Sequence, residues 1–161
     1  MREAVKIAVE LIKAGEGFSA TEYICPAGYN TIGYGRNLYT NPITYIEQAK
    51  YTIGDINLLG SPLNITKEIA SEWVAEEAQH LYERLQSKDY FCHLNDARQA
   101  VLIDMAYNMG FGKLQKFNKM KLALVEEDYE RAAAEMQDSL WFKQVKSRGE
   151  RNLKIMIKGA I

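Results

Sequence analysis

At 161 residues and a formal net charge of −1, the chain suits one compact unit or two small lobes, and it lacks the basic excess of a nucleic-acid binder. Apolar residues make up 47% and charged residues 25%, which excludes a disordered or fibrous chain. No stretch approaches the roughly 18 apolar residues of a membrane span.

Val5, Ala8, Val9 and Ile12 form a helical stripe over residues 2–14, ended by Gly15 and Gly17. Lys6, Glu10 and Lys13 interrupt it, so no apolar run is long enough for a signal peptide. Residues 22–35 are rich in Tyr, Ile and Thr around a Pro-Ala-Gly turn, which predicts a hairpin or small sheet. Residues 37–65 read as irregular, with a short helical piece at 44–51. Thr66 is placed to cap a helix of roughly 20 residues, about 30 Å long, running to about residue 87. Asn95 caps the next helix, Gly110 stops it, and three or four shorter helices are expected to follow.

This layout predicts an α+β, mainly helical protein. A small β-hairpin lobe over about 14–65 is joined by a linking helix, 66–87, to a helical lobe of 1–13 and 88–161. A cleft between lobes is where a ligand is expected. Charge alternates late in the chain: residues 126–138 are acidic, whereas Lys143, Lys146, Arg148, Arg151, Lys154 and Lys158 face a single Glu150. Two solvated helix faces account for this, with a polymer-binding patch as the alternative. Cys25 and Cys92 have neither CxxC nor metal-ligand spacing and are read as reduced. His80 and His93 are isolated and read as structural or exposed, so no metal, cofactor or nucleotide site is expected.

Glu16 is the first chemical candidate. It sits at the predicted end of a helix, where the macrodipole disfavours a carboxylate, and burial would act the same way. Both push its pKa upward, as a general acid requires. Alone, such a Glu is ordinarily a surface residue. Thr31 opens the stretch Thr-Ile-Gly-Tyr-Gly, whose Gly33 and Gly35 permit close backbone approach or unusual dihedrals. Alone, that stretch is ordinarily a tight hairpin, and Cys25 before it is ordinarily inert packing.

The joint spacing says more. Glu16, eight residues, Cys25, five residues, Thr31 and then Ile-Gly-Tyr-Gly resembles the phage-type lysozymes, the endolysins of glycoside hydrolase family 24. Glu-Gly-Phe at residues 16–18, Cys-Pro-Ala-Gly at 25–28, residues 98–110 and residues 139–151 carry the resemblance over nearly the whole chain.

The resemblance implies a lysozyme fold and hydrolysis of the β-1,4 bond between N-acetylmuramic acid and N-acetylglucosamine in peptidoglycan, lysing a bacterial host. It implies that Glu16 donates the proton, that Thr31 holds the attacking water, and that Arg148 sits against Glu16. Tyr107 and Asn108 are implied to contact the glycan or its peptide, against a reading as a core aromatic and a helix-ending amide. Cys25 stands where many relatives carry Asp, so it is expected to orient water weakly or to act as a thiolate in some molecules, with a covalent adduct as a third possibility. Glu22 is the nearest spare carboxylate. Arg36 replaces a His of some relatives, and a surface role is expected for it. Most of the tyrosines between 23 and 51 are expected to pack the small lobe, although they could stack on sugars. Trp141 is expected in the core.

The missing second carboxylate leaves a lytic transglycosylase, or an inactive wall-binding protein, as alternatives. A monomer without stable membrane association is expected, held in the host cytoplasm until a holin opens the membrane.

Overall fold

The computed structural model describes residues 1–51, 57–60 and 62–161; the irregular chain expected at 52–56 and 61 lies outside these residues. It is α+β and mainly helical. The order is α1 (Glu3–Glu16), β1 (Ser19–Ile24), β2 (Asn30–Gly33), β3 (Arg36–Asn37), α2 (Tyr45–Tyr51), α3 (Lys67–Leu85), α4 (Asp89–Cys92) and α5 (Asp96–Met109). Then come α6 (Phe111–Leu114), α7 (Asn118–Val125), α8 (Tyr129–Gln137), α9 (Leu140–Val145) and α10 (Ser147–Lys158). Five helices follow Gly110 among the described residues, where three or four were expected. The extra break falls at Lys146, whose φ of 43° separates α9 from α10.

The chain divides into two compact units, Lys13–Val74 and Met1–Ile12 with Ala75–Ile161, with boundaries inside α1 and α3. No helix among the described residues is long and apolar enough to cross a membrane.

The smaller unit is built on the antiparallel sheet β1-β2-β3. Cys25, Pro26, Ala27 and Gly28 make the turn between β1 and β2, with Gly28 N–H donating to the Cys25 carbonyl at 2.8 Å. Proline suits the second position of such a turn, and Gly28 supplies the positive φ of 83°. Tyr23 pairs with Thr31 and Ser19 with Gly33, so an irregularity in β1 lies between Ser19 and Tyr23. Such bulges re-aim side chains. Gly33 has a φ of 66°, and a Cβ there would lie 3.1 Å from the Ala70 Cβ, so a bare backbone lets β2 pack on α3. Ile32, Leu58, Ile65, Ile69 and Trp73 are buried beside it.

Arg36 corrects an expectation. Instead of serving the surface it is 8% exposed, with its guanidinium 4.3 Å from the Trp73 ring centre. It donates to both Glu47 carboxylate oxygens, to the Asn41 carbonyl at 2.9 Å and to the Pro42 carbonyl at 2.7 Å. A planar five-donor guanidinium can hold so many acceptors on a loop; a shorter cation cannot.

In the larger unit, α5 is buried all round from Gln99 to Ala106, including the polar Gln99 and Asp104. Asn95 caps it by accepting from Arg98 N–H at 3.1 Å, and Gly110, at φ 93°, ends it. Phe91, Leu102, Ile103, Met105, Leu114 and Met136 fill the core around it. Asp104 lies in that core, fully buried. It accepts from Arg148 at 3.1 and 2.8 Å, from Asn152 at 2.6 Å and from Arg151 at 3.3 Å. A buried carboxylate is tolerable only with such partners. Trp141 is buried as expected, and its indole N–H donates to Asn108 Oδ1 at 2.9 Å. His80 and His93 are both exposed, and Nε2 of His93 lies 3.1 Å from the Leu124 carbonyl.

Candidate active site

Glu16 is the last residue of α1. Gly17 follows at φ 71°, with its N–H on the Lys13 carbonyl at 3.3 Å, a left-handed stop that a side chain would resist. The helix runs through Gly15 and places Glu16 on its final turn, half-buried. Its carboxylate rests on the backbone of Gly35: a Cβ built there would lie 2.8 Å from Oε2 and 3.1 Å from Cδ of Glu16. The two glycines of Thr-Ile-Gly-Tyr-Gly therefore serve different contacts, Gly33 with α3 and Gly35 with the carboxylate.

Cys25 is a free, half-buried thiol at the head of the turn. Its N–H donates to the Tyr29 carbonyl at 2.9 Å. The Tyr29 backbone amide, the Thr31 hydroxyl and the Ala27 amide all favour the thiolate. Together they outweigh partial burial and hold the thiol below its ordinary pKa. Of the roles expected for Cys25, this direction favours the thiolate.

Thr31 is 3% exposed, and its hydroxyl donates to the Tyr29 carbonyl at 3.0 Å. A hydroxyl has one hydrogen, so Thr31 serves either that carbonyl or the Cys25 thiolate at any moment. With the hydrogen on Tyr29, the Thr31 oxygen keeps lone pairs for an incoming donor.

Tyr23 is a site residue that the sequence did not single out. It stands opposite Thr31 in the β1–β2 ladder, and residues directly opposite share a face. With Glu16, Gly17, Phe18 and Ser19 it lines an open pocket of about 330 Å³. Partial burial raises the pKa of its phenol first, and the negative charges of Glu16 and Cys25 raise it further. One phenol thus senses both groups. The alternation of β1 carries the signal in principle, since Tyr23 lies two residues before Cys25.

Glu22 is employed elsewhere: it accepts from Asn30 Nδ2 at 2.5 Å and from Leu63 N–H at 3.3 Å. Only Tyr34 and Tyr51 of the tyrosines between 23 and 51 are buried, whereas Tyr23, Tyr29, Tyr39 and Tyr45 are exposed. The expectation that most pack the small lobe is wrong, because a sheet this small has too little core to cover them.

Glu16, Cys25 and Thr31 all belong to the smaller unit, and Arg148, Tyr107 and Asn108 to the larger. Arg148 is 6% exposed and held by Asp104. Tyr107 is half-buried near the end of α5. Asn108 and Trp141 line a separate depression of about 420 Å³. Among the described residues, no group of three or more His, Cys, Asp or Glu could hold a metal ion.

Comparison with known proteins gives a consistent picture. The family model described as phage lysozyme matches residues 13–158. The pre-baseplate central spike protein Gp5 of Enterobacteria phage T4 is 29% identical over 93% of this chain, which spans 27% of that protein's length. Probable T4-type lysozyme 2 of Dictyostelium discoideum is 24% identical over 94% of both chains. The peptidoglycan hydrolase gp36 of Pseudomonas phage phiKMV is 27% identical over 70% of this chain and 13% of its own.

Proposed function

The chain belongs to the phage lysozyme family, and from that premise we propose that it is a lysozyme-type hydrolase of bacterial cell wall. The bond cut is the β-1,4 link from N-acetylmuramic acid to N-acetylglucosamine. The observation that carries this reading is the Glu16 carboxylate held against Gly35 in the unit that also holds Cys25, Thr31 and Tyr23.

Glu16 in its acid form protonates the glycosidic oxygen, and the C–O bond breaks towards an oxocarbenium-like centre. A water adds its oxygen to the anomeric carbon and gives up a proton. Cys25 receives that proton when ionised, because the Tyr29 and Ala27 amides favour the thiolate. Thr31 accepts a hydrogen bond from the water while donating to Tyr29, which leaves the water's lone pair for the sugar. Asp104 holds the Arg148 guanidinium within the larger unit, and the family resemblance assigns that arginine to steadying the acid. Tyr107 and Asn108 contact the glycan or its peptide.

The chain acts as a monomeric endolysin, waiting in the host cytoplasm until a holin opens the membrane. Purified protein is expected to release new reducing ends from peptidoglycan. A second reading, lytic transglycosylase chemistry, draws on Cys25 in the place of a carboxylate. Mass spectrometry separates the two: hydrolysis gives ends carrying the added water, and transglycosylation gives anhydro-muramic ends lighter by one water.

A further inference from the structure

Tyr29 and Tyr39 stack on each other with ring centres 5.7 Å apart and planes 25° from parallel, yet they are 44% and 78% exposed. The pair is held from beneath. Asn37 Oδ1 accepts from the N–H groups of Tyr39 and Thr40, at 2.9 and 3.3 Å. Buried Arg36 fixes the following turn through the Asn41 and Pro42 carbonyls, and Leu38 N–H ties the loop to the Asn30 carbonyl. On the other side, the Tyr29 carbonyl accepts from both Cys25 and Thr31.

Two hydrogen-bonded segments thus present two broad aromatic faces, one of them on the residue whose carbonyl is shared by Cys25 and Thr31. Exposed aromatic area has no benefit to folding, because its burial is what stabilises. Aromatic rings that are apolar over the face and polar at the hydroxyl suit a ligand with C–H faces and hydroxyl edges.

We propose that the Tyr29–Tyr39 pair is a sugar-stacking platform, on which an N-acetylhexosamine ring of the glycan lies beyond the scissile bond, beside the Cys25 turn. The platform rests on the cell-wall reading above. The occupant is the glycan and not the peptide stem, because the pair carries no charged group for a stem's carboxylates or amine.

The test uses the full chain. Binding of a purified, peptide-free glycan tetrasaccharide is measured calorimetrically with Glu16→Gln protein and with Glu16→Gln/Tyr39→Ala protein, and KM on wall glycan is measured for wild type, Tyr39→Ala and Tyr39→Phe. Loss of one aromatic contact predicts about a threefold to tenfold weaker binding and a similar rise in KM. The platform also predicts kcat within about twofold, an unchanged melting temperature and rescue by Tyr39→Phe. Unchanged binding and KM in Tyr39→Ala, with wild type cleaving normally, overturns the platform alone. Weaker binding of a free stem peptide with glycan binding unchanged overturns it in favour of a peptide site. A parent protein that neither cleaves nor binds glycan overturns the cell-wall reading and the platform together.

Discussion

Gly35 and Glu16 meet so closely that a single methyl group at residue 35 would fall 2.8 Å from the Glu16 carboxylate oxygen. The far end of a Glu side chain can move, and the φ of 80° at Gly35 adds strain for any other residue. Gly35→Ala should therefore cost roughly 1–3 kcal/mol of stability. If Glu16 is the acid, activity should fall further than that loss explains, by about 10²-fold at a temperature where the variant is fully folded. Thermal melts beside turnover on wall substrate check this. A proportionate loss would mean the contact has no bearing on chemistry.

Cys25 should react with alkylating agents at lower pH than a free thiol such as glutathione. Donors from Tyr29, Thr31 and Ala27 stabilise the thiolate, so the folded pKa is lowered and the thiolate fraction appears earlier as pH rises. Thr31→Val removes one donor and should move the Cys25 rate profile to higher pH. Mass-resolved iodoacetamide kinetics across pH 5–10 measure both thiols at once, and superimposable profiles for wild type and Thr31→Val would remove Thr31 from this role.

The same residue separates charge from packing. Cys25→Asp should keep or raise activity, because a carboxylate supplies the negative charge the transition state favours. Cys25→Ser should lose about tenfold or more, since a hydroxyl does not ionise at pH 7. Equal activity in all three proteins would leave Glu16 and Thr31 as the core of the site.

Tyr23→Phe removes only a hydroxyl that lies near two acidic groups. Its expected effect is a shift of the pH–rate profile with little change in melting temperature, because Tyr23 is partly exposed. A profile identical to wild type would reduce Tyr23 to a wall of the pocket.

Glu47 ties acid stability to the loop that carries Tyr39. Burial pushes its carboxyl up, but hydrogen bonds from Arg36 and Thr44 win, and the folded pKa lies below its ordinary 4.5. A depressed carboxyl pKa contributes stability above the unfolded value, and that contribution is lost as pH falls through the folded one. Glu47→Gln should thus be less stable than wild type at pH 7, by roughly 3 kcal/mol for a largely buried pair. The gap should narrow below pH 4. Denaturant melts at pH 7 and pH 3 decide it, and a constant gap would argue against the Arg36–Glu47 account.

Local signals made much of this molecule legible. The stripe of α1, the cap at Asn95, the stop at Gly110 and the Pro-Ala-Gly turn each follow from short-range chemistry, and each stands where it was read. Glu16, Cys25 and Thr31 stood out as candidates through a compound spacing that resembles a known family, and the structure sets them on one helix end and one hairpin. Arg36 was misread because its partners Glu47 and Trp73 lie on other elements, distant in sequence. The Asp104–Arg148 pair was missed for the same reason, although a lone carboxylate in the apolar run around residue 104 was a usable sign. The tyrosines were misassigned because composition does not say how much core a three-strand sheet can build.

The most direct measurement compares wild type with Glu16→Gln for reducing ends released from purified peptidoglycan under single-turnover conditions. The account predicts a fall of about 10² to 10⁴ in rate with the melting temperature retained, the loss expected when a general acid is removed. Full activity in Glu16→Gln would contradict it.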